Sequence, residues 1–293
     1  MKYSTKRFKS WGQYVSFINN LTESWCFRGQ SNSDWDLKTS LERTDFYKRT
    51  ENIEKLFLMD FQRGAKNYLS EKEMPDNLLE WLALMQHHGA PTRLLDFTKS
   101  PYIAAYFAFE NAYYNDNPVA IWCINYRFLT NFVERTLNLK HDDEFENARF
   151  RFSDEFFEKT RRKFTESDYE KLFYSNDQSL IIPIEPFKMN KRYALQQSIF
   201  ISLGNSYETF MEQLDFVNED LKKIAIKIYL PSSIKNEVLR ELQKMNIYRA
   251  SIFPDLDGYA MSLKMQYNSM SSLEDIFLKY QKFKKNGVLE FLP

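Results

Sequence analysis

Glycine is scarce in this chain, at 7 of 293 residues. Neither GxxxxGK(S/T) nor GxGxxG occurs, so a glycine-rich phosphate loop is not expected. There are two cysteines, Cys26 and Cys123, too few and too far apart for a disulfide framework. Of three histidines, His87 and His88 are adjacent and His141 is remote. Neighbouring helical positions diverge by about 100°, so the pair does not suit one shared ion, and no metal is expected. No charge of one sign is in excess: 40 basic residues stand against 40 acidic ones, so no global field draws the chain to nucleic acid or membrane. No run approaches the roughly 18 apolar residues of a membrane helix. The opening "MKYSTKRFKSWGQY" has no apolar stretch fit for a signal peptide. A cytoplasmic protein with no membrane partner is the expectation. There is no GxSxG elbow. The carboxylates near the polar centre of the sequence, Asp96 and Glu110, are not paired by spacing.

Aromatic residues are abundant, with 26 Phe and 18 Tyr, and 43% of the chain is hydrophobic. Such a chain buries a core, which excludes wholesale disorder. Helical periodicity runs over residues 8 to 20, 51 to 70, 76 to 87 (with Asp76 as cap) and 101 to 114, the last opened by Pro101. Strand signals fall at 119 to 125, 179 to 184, 197 to 203 and 223 to 230. A helix is expected from Ser232 or Ser233 to about Met245, and a last strand in "YRASIF". Residues 127 to 175 alternate charged and aromatic side chains and read as a helical insertion. Strands and helices mix, giving an α+β domain over residues 1 to 270, followed by a helical, lysine-rich tail at 271 to 293.

The densest polar stretch is "MQHHGAPTRLLDFTKSP", residues 85 to 101. Arg93, Asp96, Thr98 and Ser100 are threaded through Leu94, Leu95 and Phe97, and polar groups so placed need partners. One histidine is expected to cap the helix end and the other to line a pocket. In "FRGQ", Arg28 is read two ways. It forms an internal pair, with Asp96 the first candidate, or it lines a pocket and holds phosphate or ribose oxygens. Gly29 admits a close backbone or a ligand. Gln196 and Gln197 stand at the mouth of a strand, one on each face. In "FPDLDGY", Asp255 and Asp257 read as turn caps, with a pocket role second. The insertion's Arg149, Arg151, Arg161, Arg162 and Lys163, interleaved with phenylalanines, read either as a solvated amphipathic helix or as a single-strand binding surface.

Four motifs in order, "WCFRGQSNSDWDLKTSLER", "LALMQHHGAPTRLLDFTKSPYIAAYFAFE", "RYALQQSIFIS" and "IFPDLDGYAMSL", resemble the FRG domain, a bacterial family named for the triplet at Phe27 to Gly29. The likeness spans roughly residues 8 to 265. A weaker resemblance is to ADP-ribosyltransferases of the Arg-Ser-Glu type. It implies an ADP-ribosyltransferase-like fold with central β-sheets flanked by helices, and NAD as substrate. Arg28 then matches the NAD-binding arginine, and Thr98 to Ser100 match the strand that supports the pocket. Gln196-Gln197 stand where that family carries a glutamate. Glutamine brings no charge to a developing cation, so either another carboxylate serves, with Asp96 the first candidate, or the transfer reaction is lost. Arg28, Gln197 and Asp96 are the implied catalytic set. Gly29, Gln30, His87, His88, Arg93, Thr98, Ser100 and Gln196 join Arg28 around NAD. The implied activity is transfer to a macromolecule, RNA or DNA ahead of protein, by a toxin-like effector of phage defence or a toxin–antitoxin system, with an antitoxin or chaperone partner. The alternative is a non-catalytic module that binds a nucleotide or NAD-derived ligand and relays it.

Overall fold

The computed structural model describes residues 3–21, 24–45, 47–48, 53–113, 117–136, 173, 179–184, 191–217, 224–268, 277–278 and 281. In chain order the main elements are β1 (Ser4–Arg7), α1 (Trp11–Ile18), β2 (Trp25–Gln30), α2 (Ile53–Ala65), α3 (Leu78–His87), β3 (Leu94–Thr98) and α4 (Pro101–Glu110). Then come β4 (Val119–Asn125), α5 (Tyr126–Thr136), β5 (Ile181–Ile184), α6 (Lys191–Leu195), β6 (Ser198–Leu203), α7 (Phe210–Phe216) and β7 (Ala225–Leu230). The last three are α8 (Lys235–Lys244), α9 (Arg249–Ile252) and α10 (Leu256–Asn268). The fold is α+β, with one seven-stranded mixed sheet in the order β1-β7-β4-β2-β3-β6-β5. Only β1 and β7 run parallel; every other neighbouring pair is antiparallel. Among the described residues, no helix is long and apolar enough to cross a membrane. Beyond α5, the expected insertion at 127 to 175 lies almost wholly outside the described residues, as does nearly all of the tail at 271 to 293.

Local chemistry explains the elements. Ser10 caps α1 by accepting from the Gln13 N–H, and Trp11, Tyr14 and Ile18 form its buried face. The cap of α3 is Asn77, one residue later than expected, accepting from the Glu80 N–H at 3.0 Å. "YRASIF" is the short helix α9 and not a strand. Ser251 Oγ accepts from the Tyr248 N–H and donates to main-chain carbonyls of Asn246 and Tyr248. Such local bonds compete with a strand ladder. β1, polar and charged, gave no strand signal; it survives because it is an edge, where charge is tolerated.

Side-chain alternation gives the sheet two unlike faces. One face holds Cys26, Leu95, Phe97, Trp122, Ile199 and Ile201 and packs on Leu129 of α5 and Phe210 and Leu214 of α7. The opposite face is covered by two separate layers. α1, α4 and α8 pack on the β2, β4 and β7 half. α2 and α3, with Tyr193 of α6, pack on the β3, β6 and β5 half. The border between these layers runs along β2 and β3.

Gly29 belongs to that border. Its α-carbon faces α4, and a methyl there would lie 2.0 Å from the Ala104 carbonyl oxygen and 2.5 Å from the Ala108 nitrogen. The close approach anticipated for this glycine is made by a helix backbone, which leaves a ligand no room on that side. Gly29→Ala is expected to cost about 3 kcal/mol, because α4 must lift off the sheet. A urea titration reads this as a lower midpoint at unchanged slope.

Candidate functional site

β2 and β4 are in register over six residue pairs and β3 and β6 over five, yet β2 and β3 share only Phe27 opposite Thr98. Beyond that rung the two strands part. Arg28 fills the opening: its Nη1 donates to the Asp96 main-chain carbonyl at 2.5 Å. The arginine bridges two strands whose own ladder has stopped. Its Nε is buried and has no partner among the described residues. Burial pulls its pKa below the usual arginine value; the Asp96 charge acts the other way and Arg43 adds to the lowering.

The Asp96 side chain, half-buried, accepts a 2.6 Å bond from Gln86 Nε2 at its Oδ2. Gln86 is fixed in turn: its Oε1 accepts from Thr92 Oγ1 at 2.7 Å and Ser40 Oγ at 3.2 Å. Among the described residues no donor reaches Asp96 Oδ1. One histidine caps the helix end, as expected. His88 is the exposed C-cap of α3, and His87 turns inward. The His87 ring meets Tyr193 edge-on at 5.7 Å, and its buried Nδ1 has no partner among the described residues. Its pKa is lowered, first by burial and then by the charges of Arg192 and His88, against opposing pulls from Asp255 and Asp96. Tyr193 Oη donates to the Ala83 carbonyl, and burial raises its pKa. Unpartnered nitrogens beside one half-free carboxylate suit a ligand that carries both anionic groups and hydroxyls.

Other expected site residues are engaged elsewhere. Arg93 is fully buried and paired with Glu54 of α2, the Nε to Oε2 distance being 2.5 Å. It also donates to the Phe173 carbonyl and lies over the Phe173 ring. Its guanidinium is taken up by this buried ion pair. Gln30 is spent on the fold: its Oε1 accepts from Trp122 Nε1 at 2.9 Å and its Nε2 donates to the Asp36 carbonyl. Thr98 Oγ1 donates to the Gln196 carbonyl at 2.6 Å and accepts from the Ser100 N–H, while Ser100 Oγ caps α4. These two hydroxyls shape the turn from β3 into α4. Gln196 and Gln197 precede β6 and sit on a turn, not on the strand's alternating faces. The Gln196 amide donates to the Ile252 carbonyl. Gln197 is exposed, with φ +48°, a strained backbone for a side chain larger than glycine's. Asp255 is a turn cap, as expected, accepting from the Gly258 N–H.

Sequence reasoning missed Gln86, Tyr193, Arg192 and Glu54. Gln86 adjoins the histidine pair, and Arg192-Tyr193 open "RYALQQ", so both motifs were in view without a role for these positions. Glu54 gave no signal, since nothing in α2 points to a partner 39 residues away. No curated protein and no solved structure matches the chain. One family model does match, that of the FRG domain, over residues 23–117, a shorter span than the four motifs suggested; it runs from β2 through α4, so the FRG domain that the chain carries there holds Arg28, Gln86, His87 and Asp96.

Proposed function

We propose that the chain is an NAD-dependent ADP-ribosyltransferase that modifies a macromolecular acceptor, nucleic acid ahead of protein, as a toxin-like effector. The observation that carries the reading is the parting of β2 from β3 with Arg28 and Asp96 at the gap. The order β2-β3-β6 also sets side by side the three strands to which the resemblance assigns the arginine, the Thr-Lys-Ser turn and the glutamine pair.

Each residue has a task in this reading. Arg28 holds phosphate or ribose oxygens through its free edge. Asp96, kept in place by Gln86, accepts a ribose hydroxyl at Oδ1 and opposes the positive charge that grows on the ribose. His87, its pKa lowered by burial, contacts the nicotinamide amide or the ribose. In the reaction the ribose C1′–nitrogen bond breaks and nicotinamide leaves with the electron pair. The acceptor's oxygen or nitrogen bonds to C1′ and gives up its proton. The alternative, a binding module that relays a nucleotide signal, is favoured by one observation: the Gln196 amide is tied to Ile252 and no glutamate stands beside it.

Incubation with NAD labelled in the adenylate moiety, plus RNA, DNA and cell lysate, tests the reading. Label on an acceptor, lost in Asp96→Asn, is the expected result. Binding of NAD without turnover supports the relay module. Absence of NAD binding ends both NAD-based readings.

A further inference from the structure

Four buried side-chain nitrogens lack a hydrogen-bond partner among the described residues: Arg28 Nε, His87 Nδ1, Arg192 Nε and Arg249 Nε. The last three gather on the sheet face opposite α7. Arg192 and Arg249 both lie over the Phe253 ring, their guanidinium carbons 4.7 and 4.6 Å from its centroid. Tyr193, the next residue after Arg192, meets the His87 ring edge-on. Arg249 has a carboxylate partner, Glu110, which also accepts from Tyr106 Oη. Arg192 has no carboxylate partner among the described residues. Of the acids around His87, Asp96 is held by Gln86, and Asp255 accepts from the Gly258 N–H.

A guanidinium over a ring, half withdrawn from water and without a counter-charge, is an incomplete ion pair. A second guanidinium shares the Phe253 ring with it, and the His87 ring meets the adjacent Tyr193. Planar forked donors suit tetrahedral oxyanions. We infer that Arg192, with Arg249 and His87 beside it, binds a phosphate or pyrophosphate group of a nucleotide ligand. This deepens the reading above by assigning the ligand's phosphates to α6 and α9, outside the matched span; it rests on that reading only for the ligand being NAD.

Calorimetry at fixed ionic strength on the full chain tests the inference, with pyrophosphate, ADP-ribose, NAD and adenosine as titrants. Arg192→Gln is expected to weaken pyrophosphate and ADP-ribose by about tenfold or more while leaving any adenosine binding unchanged. Arg192→Lys, which keeps the charge, is expected to fall between wild type and Arg192→Gln and guards against a misfolded glutamine variant. Pyrophosphate binding without ADP-ribose binding would make the source a free anion and overturn the nucleotide assignment. Equal affinities in wild type and Arg192→Gln, or no phosphate compound bound by wild type, would overturn the site itself. ADP-ribose lost in Arg192→Gln, with NAD never consumed by wild type, leaves the inference standing and removes the transferase reading.

Discussion

Glu54→Ala is expected to cost about 4 kcal/mol of folding stability, within the range for stripping one partner from a buried ion pair. Both side chains of the Arg93–Glu54 pair are 1% exposed. Without Glu54 the Arg93 guanidinium still has carbonyl acceptors at Phe173 and Leu203 and the Phe173 ring, but loses the carboxylate. Its charge then stays buried without the Glu54 carboxylate. Arg93→Met is expected to be comparably harmful, for the mirror reason: a buried carboxylate is left with the Arg93 main-chain N–H as its remaining donor in this pair. The double variant Arg93→Met/Glu54→Leu is expected to regain most of the loss, since apolar replacements of similar volume often match a buried pair. It will not regain all of it. The Arg93 N–H, which now donates to Glu54 Oε1 at 2.6 Å, would be unpaired, at roughly 1–3 kcal/mol. Urea midpoints of the three variants measure this. If the double variant folds and still binds nucleotide as wild type does, Arg93 has no part in the ligand site. Loss of binding in a stable double variant would restore the ligand role that the sequence suggested.

That pair shows where sequence reasoning stops. Arg93 stood out because it is a charge inside an apolar run, and the inference that it needs a partner was sound. Which partner it has depends on how α2 docks against the start of β3, which no local pattern encodes. Gln30 and Gly29 are similar cases. Their commitments, to Trp122 and to the α4 backbone, come from the β2–β4 register and the helix above it. By contrast α3, α4 and β4 were legible, because a cap, a proline or an unbroken apolar run acts within a few residues. β1 and α9 were not: one is a polar edge held by its parallel neighbour, the other a turn set by serine and main chain. Of the site, Arg28, Asp96 and His87 were legible as polar groups in costly positions. Gln86 and Arg192 came into view only when α3 and α6 were brought over the border between the two helical layers.

Arg28→Met is expected to abolish nucleotide binding and turnover while changing stability little. Two opposing effects set the second half of that expectation. The variant loses one charge-assisted bond to the Asp96 carbonyl, of the kind worth roughly 1.5–3 kcal/mol. It also removes a cation whose burial is already unfavourable, as the lowered arginine pKa indicates. No carboxylate is orphaned, because Arg28 pairs with a main-chain carbonyl and the Asp96 carboxylate is held by Gln86. The net change should therefore stay within about 1.5 kcal/mol, well below the cost predicted for Glu54→Ala. Binding is another matter. If the free edge of the guanidinium engages ligand oxygens, its loss should weaken the nucleotide about 100-fold, equivalent to two charge-assisted hydrogen bonds. Arg28→Lys should recover little, since an ammonium cannot hold the Asp96 carbonyl and two ligand oxygens in one plane. Melting temperature and nucleotide affinity measured on the same Arg28→Met protein decide the matter. Binding lost at nearly unchanged melting assigns Arg28 to the ligand. Melting that falls as far as in Glu54→Ala, with affinity retained in the folded fraction, makes Arg28 only the staple between two parted strands.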